Sequence, residues 1–191
     1  MSIELATKAT TSRSPRPDKQ HYFLLIALAA RTRADCLGRQ VGAVITREGR
    51  VLSTGYNGTP FGVENCSEGG CERCAQRARG ETQRGHGYDT CICVHAEQNA
   101  LLTAARFGQQ TLGATLTTTL QPCFGCLKEM AQAGIEEVYY LHPWADDDAF
   151  RSSEFAHPSE ALRNCFHRIE QIGDPSLDTP DLFAGFLRSV E

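Results

Sequence analysis

The chain has 191 residues, of which 41% are hydrophobic and 22% charged, and its formal net charge is −4. These values are typical of a soluble protein with a single domain, and the acidic balance disfavours a protein that follows a polynucleotide backbone. The longest apolar run, residues 22–30, is too short to cross a bilayer, and arginines follow it instead of a cleavage site. We therefore expect no membrane anchor, no secretion signal and a cytoplasmic location.

Cysteine usage points to metal binding. The nine cysteines lie at positions 36, 66, 71, 74, 91, 93, 123, 126 and 165. An odd number without a secretion signal disfavours a disulfide framework, whereas C-x-x-C and C-x-C pairs favour metal ligation.

The first half of the chain predicts a flexible start, one helix and a hairpin. Residues 1–17 are rich in Ser, Thr, Arg and Pro and predict a flexible lead-in, so the single domain is expected over 18–191. Asp18 is expected to cap a helix that runs to about Cys36. Residues 41–46 and 51–56 predict two strands joined by a turn, and a loop follows at 57–60.

Residues 61–93 form a cysteine-rich insertion that we interpret as loop-like. A long loop without secondary structure is unusual in a compact domain, and a structural zinc would explain how it stays ordered, because coordination replaces the missing core. The alternative is a set of free buried thiols.

Two motifs carry the chemistry. His95 and Glu97 form H-x-E, and Pro122, Cys123 and Cys126 form P-C-x-x-C, which together are the signature of a zinc nucleobase deaminase. One His and two Cys suit zinc with a fourth position open to water, and Glu97 is free to act as the proton carrier. A redox role for the C-x-x-C pair leaves the H-x-E motif unexplained.

The second half predicts alternating helices and strands: helices over 94–106 and 123–134, and strands over 113–120 and 135–141. The motif residues then lie at two helix starts, and right-handed crossovers make the last strands parallel. Further on we expect a solvated acidic loop at 146–148, a short helix at 159–165, a fifth strand at 166–172 and a final helix at 180–190. The fold class is α/β, a three-layer sandwich with a central mixed sheet of about five strands flanked by helices.

The sequence resembles the deoxycytidylate deaminases of the cytidine and deoxycytidylate deaminase superfamily over roughly residues 29–141. The resemblance rests on G-Y-N-G-T-P at 55–60, the N-C…G-G-C-x-x-C insertion, H-A-E-x-N-A-L-L at 95–102 and G-A-T-L before P-C-x-x-C. The extension after about residue 145 has no counterpart that we can place.

The resemblance implies a cytidine-deaminase-like fold and a zinc-dependent hydrolase of cyclic amidines that converts dCMP to dUMP and ammonia for thymidylate synthesis. It implies one catalytic zinc at His95, Cys123 and Cys126, and at least one structural zinc. The pool for structural zinc comprises Cys36, Cys66, Cys71, Cys74, Cys91 and Cys93, with His86 as a further candidate. The expected substrate contacts are Asn57 (to the sugar), Gly55, Tyr56, Ala96, Arg39 and Trp144.

Several alternatives stay open at this point. The substrate could be another cytosine or adenine compound, namely a nucleoside, modified dCMP, tRNA or single-stranded DNA, or the chain could be a non-enzymatic zinc-binding scaffold. Family members also suggest dCTP and dTTP as effectors and a homo-oligomer between dimer and hexamer. We expect a small-molecule nucleotide rather than a polynucleotide.

Overall fold

The computed structural model describes residues 17–82, 90–143 and 160–173. Its helices and strands follow one another in a largely alternating order. They are α1 (Lys19–Arg31), β1 (Gly42–Arg47), β2 (Arg50–Tyr56), a 3-10 helix (Cys66–Glu68), α2 (Glu72–Ala78), α3 (Ala96–Arg106), β3 (Ala114–Leu120), α4 (Phe124–Gln132), β4 (Ile135–His142) and β5 (Arg168–Gln171). Within these ranges, none of the helices combines the length and the hydropathy that a membrane span requires.

The five strands form one mixed sheet in the order β2-β1-β3-β4-β5. β1 pairs antiparallel with both β2 and β3, whereas β3–β4 and β4–β5 are parallel. The parallel pairs follow from the connections, because a helix or long segment must return the chain to the same end of the sheet. The predicted α/β sandwich with parallel last strands is therefore confirmed.

Alternation along β1 explains the three layers. Val44 packs with Phe23 and Ala27 of α1, whereas Ala43 and Ile45 belong to the core that contains α3 and α4. Successive side chains of a strand point to opposite faces, so a strand that is apolar at every position needs cover on both. α1 covers one face of the sheet, and α3 and α4 cover the other.

The first helix is shorter than predicted. α1 ends at Arg31 and not near Cys36, because Thr32 caps it and its hydroxyl donates to the Ala29 carbonyl at 2.7 Å. The chain must leave the helix there to bring Cys36 to the other cysteines. Asp18 does cap the helix, accepting from the His21 N–H at 2.8 Å.

The insertion is not purely a loop, since the 3-10 helix and α2 lie within it. The residues of α2 are mostly polar, and its inward positions are Cys74 and Arg73 rather than an apolar stripe, so hydrophobic periodicity could not reveal it. The short helix expected at 159–165 is seen at residues 160–163. The lead-in, His86, Trp144, the acidic loop and the final helix lie outside the described residues.

Candidate active site

The ligand set predicted from the two motifs is assembled in the structure. His95 Nδ1 lies 3.4 Å from the Sγ atoms of both Cys123 and Cys126, and the two sulfurs are 3.5 Å apart. Four-coordinate zinc, with Zn–S near 2.3 Å and Zn–N near 2.0 Å, requires ligand atoms about 3.5–3.8 Å apart. The donor atoms therefore fit a tetrahedral zinc with three protein ligands.

Two helix starts hold these ligands in place. His95 is the residue before α3, and Cys123 is the residue before α4, where its sulfur accepts the Cys126 N–H at 3.5 Å. Gln98 connects the two helices: its Oε1 accepts the His95 N–H and its Nε2 donates to Glu129, each at 2.9 Å. The ligands thus depend on the spacing of α3 and α4, which Gln98 helps to fix.

The electrostatics of the ligands favour a charged sulfur at Cys123. Pairing of the two sulfurs lowers the pKa of Cys123 to about 4, whereas the same pairing and burial raise the pKa of Cys126 well above its ordinary value. The hydrogen bond to Cys123 also raises the pKa of His95 to about 9. A cation is therefore favoured beside the Cys123 thiolate, which is what a zinc ion would provide.

Glu97 lies in the first turn of α3 and is only 4% exposed. Burial raises the pKa of its carboxyl group to about 7, while the nearby His95 opposes the rise. A carboxyl group that titrates near neutral pH can both accept and donate a proton in one catalytic cycle. This is the property expected of the proton carrier predicted from the motif.

A cleft opens beside these residues and reaches the cysteine-rich insertion. Its walls contain the predicted contacts Arg39, Asn57 and Ala96 together with Glu97. Sequence reasoning missed two other lining residues, Arg73 and Arg77 of α2. Only the helical spacing of these arginines could have indicated that they belong together, and α2 itself was not predicted.

Asn57 holds the loop that carries Arg39. Its Oδ1 accepts the Val41 N–H and its Nδ2 donates to the Arg39 carbonyl, both at 2.7 Å. A primary amide has two donor hydrogens and two acceptor lone pairs, so one of each is left for a ligand in the cleft. The predicted sugar contact is compatible with this structural role.

Gly55 and Tyr56 do not line the cleft among the described residues. A Cβ on Gly55 would lie 2.1 Å from the Ala96 carbonyl oxygen, so this glycine allows α3 to pack closely on β2. The Tyr56 carbonyl accepts from Asn99 at 2.7 Å. Both residues position α3, and their direct contact with substrate stays a prediction, as does that of Trp144.

The six cysteines of the insertion and its flanks form one compact group, which we call the cysteine cluster. Neighbouring sulfurs approach to 3.7–3.9 Å. Every one of these cysteines is buried or half-buried. The cluster consists of Cys36, Cys66, Cys71, Cys74, Cys91 and Cys93. The pool predicted for structural zinc is thus brought together, and its thiolate donors suit zinc.

Comparison with known proteins agrees with this site. The family model for the cytidine and deoxycytidylate deaminase zinc-binding region matches residues 17–142. The chain is 44% identical over 139 residues to a deoxycytidylate deaminase of Saccharomyces cerevisiae, a match that covers 71% of this chain and 42% of the yeast protein. It is 45% identical over 126 residues to a deoxycytidylate deaminase of Mycobacterium phage D29, covering 65% of this chain and 95% of the phage protein.

A solved structure shares the architecture. The dCMP deaminase of the cyanophage S-TIM5, crystallised with dCMP and dUMP, matches with a TM-score of 0.59 at 25% identity, covering 83% of this chain and 100% of that one. The fold and the His-Cys-Cys donor set beside a buried glutamate define a zinc-binding α/β domain of the deaminase class. The chain belongs to the family of cytidine and deoxycytidylate deaminases.

Proposed function

We propose that this chain catalyses the hydrolytic deamination of dCMP to dUMP and ammonia. The observation that carries the proposal is the buried Glu97 carboxyl group beside the His95, Cys123 and Cys126 donor set. The match to the phage enzyme over 95% of its length supports the same substrate. Because the chain spans only 42% of the Saccharomyces cerevisiae relative, the activity is inferred here and not transferred from that protein as a whole.

In the proposed reaction Glu97 moves the protons. A zinc ion held by the three ligands supplies the Lewis acidity that makes water nucleophilic near neutral pH. Glu97 accepts a proton from the water that attacks C4 of the pyrimidine and passes it to the ring nitrogen N3. It then takes the remaining proton of that water from the new hydroxyl group on C4 and gives it to the amino group, so that the C4–N bond breaks, ammonia leaves and C4 becomes a carbonyl. Burial of Glu97 keeps bulk water from competing for that proton.

The remaining contacts set substrate class. Asn57 offers its free amide hydrogen and lone pair to the sugar hydroxyl, as the resemblance to the family implies. Arg39, Arg73 and Arg77 place positive charge along the cleft, where a 5′-phosphate can be bound. dCTP and dTTP as effectors and a homo-oligomeric state remain part of this proposal and rest on family resemblance. A cytoplasmic location also remains part of it and rests on the expectation from the sequence alone.

The test is the rate of dCMP turnover, monitored by ammonia release and by loss of cytosine absorbance. The same assay is run with cytidine, dCTP and RNA for comparison. E97Q should lose at least about 100-fold in kcat because the proton carrier is gone, while its zinc content stays unchanged. E170Q, on the exposed edge strand β5, is the matched control. Turnover of another substrate without turnover of dCMP would contradict the substrate, and an active E97Q would contradict the mechanism.

Two neighbouring arginines of the insertion test the phosphate site. Arg77 lines the cleft, whereas Arg79 is exposed and pairs with Glu72 and Glu81. A charge-assisted hydrogen bond contributes roughly 1.5–3 kcal/mol, so R77A should raise KM for dCMP about 10-fold or more and leave deoxycytidine turnover unchanged. R79A should change neither. Equal KM values for R77A and the wild type would remove Arg77 from the phosphate site.

A further inference from the structure

The cysteine cluster consists of two overlapping groups of four. Within each group all sulfur atoms lie within 4.8 Å of one another. One group is Cys36, Cys66, Cys74 and Cys93, and the other is Cys71, Cys74, Cys91 and Cys93. The two groups therefore share Cys74 and Cys93, whose sulfurs are 3.8 Å apart.

The sulfur separations are those of thiolates around a metal. Cys74 lies 3.7 Å from Cys36 in the first group and 3.7 Å from Cys91 in the second. Cys71 and Cys91 are 3.9 Å apart. A tetrahedral zinc with Zn–S near 2.3 Å places its sulfurs about 3.8 Å apart, whereas a disulfide requires about 2.05 Å. Both groups match zinc and neither matches a disulfide.

A single zinc ion leaves the cluster incomplete. Structural zinc is four-coordinate, so one ion would occupy one group and leave two cysteines of the other group without a ligand role. We propose that the cluster holds two zinc ions, bridged by the sulfurs of Cys74 and Cys93. Cys36 and Cys66 complete one tetrahedron, and Cys71 and Cys91 complete the other.

The surroundings of the cluster suit the negative charge of its thiolates. Backbone N–H groups of Leu37 and Gly38 donate to the sulfurs of Cys66 and Cys36, each at 3.4 Å, which stabilises thiolates. Six thiolates and two zinc ions leave two net negative charges. Arg73, which is buried, and Arg77 line the same cleft as cluster cysteines and offset that charge.

The two ions would also account for the order of the insertion. Among the described residues, the buried apolar group at the insertion contains cysteines only. The 3-10 helix and α2 are therefore not held together by a core of aliphatic or aromatic side chains. The ligands come from four places along the chain, namely after α1, the 3-10 helix, the start of α2 and the segment before α3. Two ions that share ligands tie all four to one point.

Metal stoichiometry of the zinc-saturated full chain, measured by elemental analysis after desalting, tests the proposal. We expect three zinc ions per chain, two in the cluster and one at the active site. C123A should lose only the active-site ion and retain two, whether or not the proposed reaction is correct, so the two proposals can fail separately. A total of two ions in the wild type, or one in C123A, would overturn the proposal that the cluster holds two zinc ions.

Cadmium substitution tests the shared sulfurs in the unmutated chain. With ¹¹³Cd in place of zinc, two cluster resonances should couple to each other through the bridging sulfurs. Two uncoupled resonances would overturn the bridge, and a single cluster resonance would overturn the pair.

Variants identify the ligands of the second ion. C71S should bind one zinc fewer than the wild type, whereas C165S, whose thiol is exposed and outside both groups, should bind the same number. An unchanged count in C71S contradicts the second site. If C71S does not fold, the wild-type count and the cadmium spectrum still decide the question.

Discussion

Replacing Gly55 by alanine should displace α3 and with it the active-site residues at the start of that helix. Gly55 lies in β2 under the first turns of α3, and an added Cβ would lie 2.1 Å from the Ala96 carbonyl oxygen and 2.4 Å from the Ala100 nitrogen. An ordinary carbon–oxygen contact is about 3.3 Å, so α3 must move away from the sheet by roughly 1 Å. Since α3 carries His95 and Glu97 at its start, the shift separates them from Cys123 and Cys126 on α4.

Two effects follow from that shift. Forcing extra volume into a packed contact typically costs about 1–3 kcal/mol of folding free energy. A misplacement of about 1 Å at a catalytic group can lower the rate about 100-fold. We therefore expect G55A to be less stable and also, in its folded fraction, to have a kcat at least about 10-fold lower with weaker zinc retention.

Gly42 supplies a matched control on the other face of the sheet. A Cβ there would lie 2.1 Å from the Ala27 carbonyl oxygen of α1, a helix that carries none of the proposed catalytic residues. G42A should lose comparable stability in urea denaturation yet keep its kcat per folded molecule. Equal kcat values for folded G55A and G42A, with the active-site zinc retained in both, would refute the argument that Gly55 sets the position of α3.

Three further changes have definite expected outcomes. Q98A removes the acceptor of the His95 N–H and the link to Glu129, so we expect about 10-fold weaker zinc retention at the active site. Competition with a chelator measures that retention, and retention equal to that of the wild type would contradict the positioning role of Gln98. L116A, at a fully buried position of β3, should lower the free energy of unfolding by about 2–5 kcal/mol in urea denaturation while kcat stays within a few-fold. Chelation of the cluster metal should make residues 61–82 sensitive to limited proteolysis before the strands of the sheet are cleaved, and added zinc should restore their resistance. Simultaneous cleavage of the sheet and the insertion would show that the cluster metal does not stabilise the insertion specifically.

The active-site motif could be predicted from the sequence because its geometry is local. Cys123 and Cys126 are three residues apart at the start of a helix, which places their sulfurs together regardless of the rest of the fold. His95 and Glu97 occupy the equivalent start of α3. Strands were equally predictable where apolar residues ran continuously, as in β1, because both of its faces are buried.

The arrangement of the cysteine cluster could not be predicted, because it depends on loop closure between distant segments. Cys36 and Cys74 meet across 38 positions of sequence, and nothing in the spacing of either indicates the other. α2 was missed for a related reason: metal ligands and a buried arginine replace the apolar residues that normally mark the inward side of a helix. With α2 unrecognised, Arg73 and Arg77 could not be assigned to the cleft.

Three consecutive residues, 93–95, connect the cysteine cluster, the loop of Asn57 and the active-site donor set. Cys93 belongs to the cysteine cluster, and His95 is a ligand of the active-site donor set. Between them, Val94 pairs with Gly58, with N–O distances of 2.9 and 3.2 Å, and Gly58 directly follows Asn57. A segment this short cannot absorb displacement at one end without moving the other, so we expect loss of order in the cluster to displace both His95 and the loop of Asn57. We therefore expect the cysteine-rich insertion to support the proposed catalytic geometry, although none of its cysteines takes part in the proposed chemistry.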